Sequence, residues 1–434
     1  MSIGMHDWGP IEKKKFNFLV DVTREVCQPY RYNEVSLDMV YSSAECLETS
    51  DVVSKEMYTF RDLSGNSIAL RPENTAGIVR AFLDNFHQDE SLPQRFFYSG
   101  PMFRYERPQK GRTRQFHQLG IECLGSTHPH SDAEVIQVAT DLLSRLGLSQ
   151  ETTLEINTLG DRDSREHYRA HLKEYLSERK DKLSMDSQQR LEKGNVLRVL
   201  DSKDPKDGEI ISDAPTIHDY LNTESKTRFE RVRECLNAVG IPYLLNPTLV
   251  RGLDYYSHTV FEFKVKEGLG RQQNTILAGG RYDGLLKGIN DLMEDGEDAH
   301  RLKKIQGGGI GWAAGVERML MMVDQNLYPK EHSHVAVVAV RQNESEAVSL
   351  QALQLCHQLR KRGLVLSCSY DGNTTKQMKR AGRENAAAVV IIGEDELKGD
   401  YYTVKNMKTK EHYKADSVDA LFSHCMRITQ ASKE

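Results

Sequence analysis

The chain has 434 residues, 38% of them hydrophobic and 28% charged, with 58 Lys and Arg against 63 Asp and Glu and a formal net charge of −5. This length exceeds what one core supports and points to two or three domains, while the acidic balance excludes a surface that is basic throughout, so nucleic-acid affinity must rest on local patches. Seven scattered cysteines without a Cys-x-x-Cys pair argue against a disulfide framework or zinc site, and no apolar run reaches membrane-spanning length.

Residues Gly4 to Pro10 form an irregular lead-in without signal-peptide character, so a soluble, cytoplasmic protein is expected. Ile11 to Gln28 is predicted to be an amphipathic helix, with Phe16, Leu19, Val20, Val22 and Val26 inward. Tyr32 to Tyr41 alternates as a strand. Met57–Phe60 and Ser67–Leu70 flank turn chemistry at Asp62–Asn66 and predict a hairpin. Arg71-Pro72-Glu73-Asn74-Thr75 then opens a helix whose face is Ile78, Val79, Phe82 and Leu83, with Thr75 or Asn74 as its N-cap. On residues alone, Glu73 and Thr75 are either first-turn charge and cap or groups aimed at a ligand.

The densest chemistry follows. Arg104, Arg107, Arg112 and Arg114, with Lys110, fall within eleven residues, and only Glu106 opposes them. Pro108 and Gly111 make the middle a loop, while Arg95–Arg104 and Gln115–Glu122 read as the strands of a hairpin. Planar guanidinium forks suit polyphosphate, holding its oxygens bidentately; a solvated basic hairpin is the alternative. His128-Pro129-His130 reads as a loop before a helix, metal binding being the other option.

Asp132–Leu146 is predicted helical and Thr153–Asn157 extended. From Asp161 to about Leu236 the chain turns charged and helical, through Arg165–Lys182 and Thr223–Leu236, which predicts an inserted helical segment. Pro247–Phe263 reads as a buried strand interrupted by polar and aromatic groups that need partners. The glycines of Ala278–Leu285 would let backbone approach a ligand closely. Asn290–Lys304 is expected to be an exposed, mobile loop, and Gly307–Leu320 a glycine-rich strand entering a helix. After a linker over Gln325–Ser333, His334–Val340 and Ala387–Ile392 are apolar runs of strands buried on both faces. With a helix over Glu344–Arg362 and a strand over Leu364–Ser369, they predict a small α/β domain with a parallel-rich sheet. Lys376, Lys379, Arg380 and Arg383 give it a basic face.

Phe103-Arg104-Tyr105-Glu106-Arg107-Pro108-Gln109-Lys110-Gly111-Arg112-Thr113-Arg114-Gln115-Phe116-His117-Gln118 fills motif 2 of the class II aminoacyl-tRNA synthetases and most resembles the histidyl-tRNA synthetases. Leu249–Tyr256 (LVRGLDYY) and Ala278–Leu285 (AGGRYDGL) are similar to that family's histidine-specific segments, and Gly307–Leu320 fits class II motif 3. Two departures are Asp38, where motif 1 of the dimer interface carries proline, and His258, where the family usually has arginine.

The resemblance implies an α+β catalytic core with an antiparallel sheet (1–160 and 237–324), a helical insertion (161–236) and a C-terminal α/β anticodon-binding domain (334–434). It implies ATP-dependent attachment of L-histidine to histidine tRNA through a histidyl adenylate, with ATP and Mg²⁺ as cofactors and a homodimer as the assembly. Arg104, Glu106, Arg112 and Arg318 would bind ATP, and Arg251 and Arg104 would act at the α-phosphate. Glu73, Thr75, Gln118, Glu122, Arg251, Tyr255, Tyr256 and Tyr282 would hold histidine. Arg107, Gln109, Lys376, Lys379, Arg380 and Arg383 would meet tRNA, the insertion either clamping the acceptor stem or merely solvating. The metal ligands stay unknown. A non-catalytic paralogue, acting as a regulatory subunit or as a sensor of uncharged tRNA, is the rival; such paralogues usually lose the arginines of motifs 2 and 3, which this chain keeps.

Overall fold

The computed structural model describes residues 4–42, 56–86, 91–108, 111–252, 255–267, 269, 274–292, 307–329, 333–340, 346–369 and 372–431. Gln109 and residues 293–304 of the expected mobile loop lie outside them. Two compact units divide the chain, Met1–Tyr328 and Pro329–Glu434.

The first unit opens with α1 (Pro10–Cys27), whose predicted apolar face is buried. The single strand expected over Tyr32–Tyr41 is two short ones, β1 (Asn33–Val35) and β2 (Val40–Ser42), which join different sheets. The break between them is held by Arg71, whose Nη1 donates to the carbonyls of Leu37 at 2.9 Å and Asp38 at 3.3 Å. A buried guanidinium satisfied by loop carbonyls redirects the chain, and residue alternation does not reveal it. β3 (Thr59–Arg61) and β4 (Ser67–Leu70) form the predicted hairpin, and β2 completes a three-stranded sheet with them.

Helix α2 (Thr75–Ala81) follows. Asn74 is its N-cap residue, as one of the two expected, but its side chain makes no capping bond; the Glu73 carboxylate accepts from the backbone N–H of Thr75 at 2.8 Å and of Ala76 at 3.0 Å. Then come β5 (Gln94–Phe103), β6 (Gln115–Leu124), α3 (Pro129–Arg145) and β7 (Thr152–Thr158). His128 caps α3, its Nδ1 accepting from the N–H of His130 at 3.2 Å. Next are α4 (Arg162–Ser177), α5 (Met185–Glu192), α6 (Pro205–Ser212), α7 (Thr223–Ala238) and the short β8 (Leu244–Leu245). β9 (Ser257–Val265), β10 (Thr275–Arg281), α8 (Asp283–Leu292), β11 (Gly309–Gly315) and α9 (Val316–Met322) complete the unit. The strand expected from Pro247 begins only at Ser257; the described residues before it, 247–252 and 255–256, lie outside strands.

Eight strands make the main sheet in the order β1-β5-β6-β11-β10-β9-β7-β8, antiparallel between β5 and β7 with parallel β1 and β8 at the edges. Period two sorts its faces. Phe97, Leu119, Ile121 and Phe261 pack with α1, α3 and α7 through Leu19, Val135, Leu142 and Phe229. The opposite face carries Tyr98, Met102, Val260 and Tyr282, packed with α2 and with Tyr168 and Leu172 of α4. Helices α4 to α6 thus share the core of the second face, while α7 belongs with the first.

The second unit is α/β. β12 (Val335–Ala339), α10 (Glu346–Lys361), β13 (Leu366–Cys368), α11 (Thr374–Arg383), β14 (Ala388–Ile392), α12 (Glu394–Gly399), β15 (Tyr402–Asn406), β16 (His412–Ala415) and α13 (Val418–Ala431) follow in order. The sheet runs β13-β12-β14-β15-β16; β12 pairs in parallel with β13 and β14, and the remaining pairs are antiparallel. Val337 and Val390 face α10 and α13, while Val338 and Val389 face α11, so β12 and β14 are covered on both sides.

Candidate functional site

On β6 the alternation that buries Leu119 and Ile121 turns Gln118, Gly120 and Glu122 to the other face. That face has a low floor, because β11 carries small residues there. A Cβ at Gly311 would stand 1.8 Å from Glu122 Oε2, so glycine makes room for the carboxyl. At Gly280 the need is packing: a Cβ would meet the Tyr256 ring at 2.9 Å. The close approach expected of this glycine is to a tyrosine and a neighbouring strand.

A cavity of about 370 Å³ lies over this floor. The hairpin of β5 and β6 brings Arg104, Glu106, Arg112 and Gln118 to it, the loop before β9 brings Arg251, and α9 brings Arg318. Arg104 is held by its Nε donating to the Pro72 carbonyl at 2.9 Å, with its guanidinium 5.1 Å from the Phe116 ring centroid. Arg318 donates to the carbonyls of Thr275 at 2.7 Å and Gly111 at 3.3 Å. Burial, followed by the neighbouring Arg112, pulls the Arg318 pKa below its ordinary value. Arg112 reaches Glu106 at 3.4 Å. Cations crowded at cost to one another stabilise an incoming polyanion.

Arg251 donates to Glu262; burial, the largest single influence, lowers its pKa, but Glu262 together with Tyr256 and Tyr255 leaves it raised. Its Nε is buried without a hydrogen-bond partner among the described residues, and so is Gln118 Oε1. An acceptor oxygen left so in a polar cleft suits a ligand's N–H.

Beside the cavity is a second cluster. Glu122 accepts from Thr75 Oγ1 at 2.7 Å and from the Tyr282 hydroxyl. Burial nonetheless pushes its carboxyl up to about 8. The rings of Tyr255 and Tyr256 lie 4.8 Å apart, and Tyr255 is 5.9 Å from Tyr282. Burial first, then nearby carboxylates or each other, raises all three phenols, so they stand as neutral donors.

Arg107 is exposed beyond the hairpin strands, away from these contacts. Lys376, Lys379, Arg380 and Arg383 are exposed together on α11 of the second unit, Arg380 pairing with Glu384 at 2.7 Å. Sequence reasoning missed Glu56, Arg198, Asp201, Lys203, Glu262 and Lys264, all of which line the cavity. For Glu262 and Lys264 a signal existed: charges at alternate positions between Phe261, Phe263 and Val265 mark a polar strand face. Arg198 sits in the helical segment with no local signal at all.

A family model described as histidyl-tRNA synthetase matches residues 4–294, and one described as anticodon binding domain matches residues 334–421. A histidine–tRNA ligase of Rhodospirillum rubrum is 44% identical over 415 residues, 94% of each chain. One of Acaryochloris marina is 47% identical over 402 residues, 91% of this chain and 89% of the relative. The solved apo histidyl-tRNA synthetase of S. aureus superposes with a TM-score of 0.75 at 31% identity, covering 98% of both chains. The chain described here belongs to the histidyl-tRNA synthetase family.

Proposed function

We infer that the protein is a histidine–tRNA ligase, which activates L-histidine with ATP and transfers it to histidine tRNA. The observation that carries this reading is the convergence of Arg104, Arg112, Arg251 and Arg318 on one cavity that also holds the unpartnered oxygen of Gln118. The histidine carboxylate attacks the ATP α-phosphate and releases pyrophosphate; a ribose hydroxyl of the tRNA end then attacks the adenylate. Little proton transfer is needed in the first step, so positioning and charge neutralisation supply the acceleration.

In this reading Arg104 and Arg251 hold the α-phosphate, and Arg112 and Arg318 the outer phosphates. Glu106, paired with Arg112, orients it toward the nucleotide. Gln118, Glu122, Glu73 and Thr75 receive the amino group of histidine, and Tyr255, Tyr256 and Tyr282 enclose its imidazole. Mg²⁺ would neutralise charge on the ATP phosphates. Among the described residues no group of three His, Cys, Asp or Glu side chains could hold a metal ion. Glu56, Glu106 and Glu262 do line the cavity, which fits an ion carried mainly by the nucleotide's phosphates with one or two carboxylates.

Exposed Arg107 and, as the resemblance implies, Gln109 would meet the acceptor end, and the basic face of α11 the anticodon end. The working form is proposed to be a cytoplasmic homodimer; among the described residues no helix is long and apolar enough to cross a membrane. The test is ATP–pyrophosphate exchange. Exchange that depends on histidine supports the enzyme, whereas none under any condition, with tRNA still bound, would favour the regulatory paralogue.

A further inference from the structure

The arginine-lined cavity does not end at Arg251. A second cavity of about 260 Å³ shares Arg198 and Arg251 with it and runs along the helical insertion. Its walls carry Arg165 and Arg169 of α4, the turn from Gly194 to Arg198, and Tyr256; among the described residues Glu166 is its one acidic lining residue. Arg165 donates to the Tyr256 carbonyl and Arg169 to the Gly194 carbonyl at 2.6 Å. Arg165 ties the insertion to the tyrosine side of the site, while Arg169 braces the insertion's own turn.

Arg198 is different. Its backbone is fixed, the N–H donating to the Asn195 carbonyl at 3.1 Å and the carbonyl accepting from Arg190 Nη1 at 2.8 Å. Its half-buried guanidinium makes no hydrogen bond or ion pair with the described residues. A Cβ at Gly252 would lie 2.7 Å from Arg198 Nη1, so the glycine following Arg251 leaves room for a second guanidinium beside it. Its charge is felt by Glu56, whose carboxyl burial raises. An arginine set between two cavities, its fork of donors engaged by none of the described residues, is arranged to take a phosphate.

We propose that Arg198 holds the phosphodiester of the tRNA 3′-terminal nucleotide as that end enters the adenylate site, so that the insertion contributes directly to the transfer step. This rests on the reading of the chain as a histidine–tRNA ligase. Phosphate could also come from ATP. The tRNA source is favoured because Arg104, Arg112 and Arg318 line the ATP cavity without touching the second one, whereas Arg198 stands where the basic second cavity opens into the first. The second cavity follows the insertion, as a polynucleotide backbone entering from outside would.

The test compares full-length wild type, Arg198→Gln and Arg198→Lys in two assays. One is histidine-dependent pyrophosphate exchange without tRNA; the other is single-turnover transfer from preformed enzyme-bound adenylate to histidine tRNA. Arg198→Gln should slow transfer about 10- to 100-fold and exchange at least ten times less than that, and Arg198→Lys should recover part of the loss, since it restores charge without the fork. Equal losses in the two assays would reassign Arg198 to ATP, and unchanged transfer would remove it from the reaction; either overturns the proposal. Absence of exchange in the wild type would instead overturn the ligase reading itself.

Discussion

Thr75 Oγ1 donates a 2.7 Å hydrogen bond to Glu122 Oε1, joining the first residue of α2 to the C-terminal half of β6 across 47 positions of chain. Glu122 also receives the Tyr282 hydroxyl, from a segment 160 positions further on. One buried carboxyl therefore gathers three of the four segments that carry the proposed histidine pocket. Its environment is apolar enough that two donors do not offset the loss of water, and the proton stays on near neutrality.

That proton makes stability depend on pH. Burial raises the Glu122 carboxyl from 4.5 to about 8 in the folded chain. The folded state keeps a proton that the unfolded chain has already released, so the contribution is full below 4.5 and is lost as pH rises through about 8. The thermal midpoint of wild type relative to Glu122→Gln should therefore fall between about pH 5 and 8 and level off above that. A flat difference across this range would show that Glu122 is ionised in the fold.

Arg251→Ala should lower histidine-dependent pyrophosphate exchange by about two orders of magnitude or more, the usual loss for one donor to a developing charge. The fold should survive. Glu262 keeps the Thr275 hydroxyl at 2.9 Å and Lys264 at 3.6 Å, so its charge is not left bare. Exchange at the wild-type rate would reduce Arg251 to a partner of Glu262.

Asp132→Ala tests a structural group. Asp132 is fully buried on α3 and accepts from Arg281, also fully buried, and from Thr259 Oγ1 at 2.6 Å. Removing one partner strands the Arg281 guanidinium, with Asp283 at 2.8 Å the counter-charge left to it among the described residues. A loss of about 3–5 kcal/mol is expected, read from chemical denaturation of the first unit. A loss below about 1 kcal/mol would mean that water reaches Arg281 and replaces the pair.

Ending the chain after Tyr328 should leave histidine-dependent exchange in place and cut tRNA charging severely. The cut belongs there because Tyr328 packs on Phe18 at 5.3 Å between ring centroids, and Lys15 donates to Gln325 at 2.8 Å. Both contacts hold the end of the first unit. What is removed includes the exposed cations of α11. Equal charging with and without residues 329–434, measured at matched exchange activity, would show that this unit does not read RNA.

Much of this was legible in order along the chain, because the signals are local. The Pro108–Gly111 loop between two alternating runs dictates the hairpin, and Gly111 takes the left-handed φ of 72° that only a glycine adopts readily. The helical period of α1 and the doubly apolar β12 and β14 each follow from which faces must leave water. Where one residue from elsewhere intervenes, local pattern misleads. Arg71 breaks the Tyr32–Tyr41 run into strands of two sheets, and Glu73 rather than the N-cap residue Asn74 supplies the side-chain bonds to the start of α2.

By itself the sequence determined which chemistry the chain carries: the arginines of the hairpin, the polar strand face of Gln118 and Glu122, the tyrosines, and the glycines that lower the floor. The arginines and the polar strand face follow from residue type and spacing, while the assignment of Gln118, Glu122 and the tyrosines to histidine rests on the resemblance of their segments to those of the family. Only the tertiary structure decided which of them meet. Arg281, drawn from a segment read as part of the histidine site, turns its guanidinium into a buried ion pair with Asp132. Arg198, which nothing nearby in the chain singles out, enters the arginine cavity. The reason is physical: a charged side chain goes where its desolvation is compensated, and that partner is chosen by the packing of elements far away in sequence.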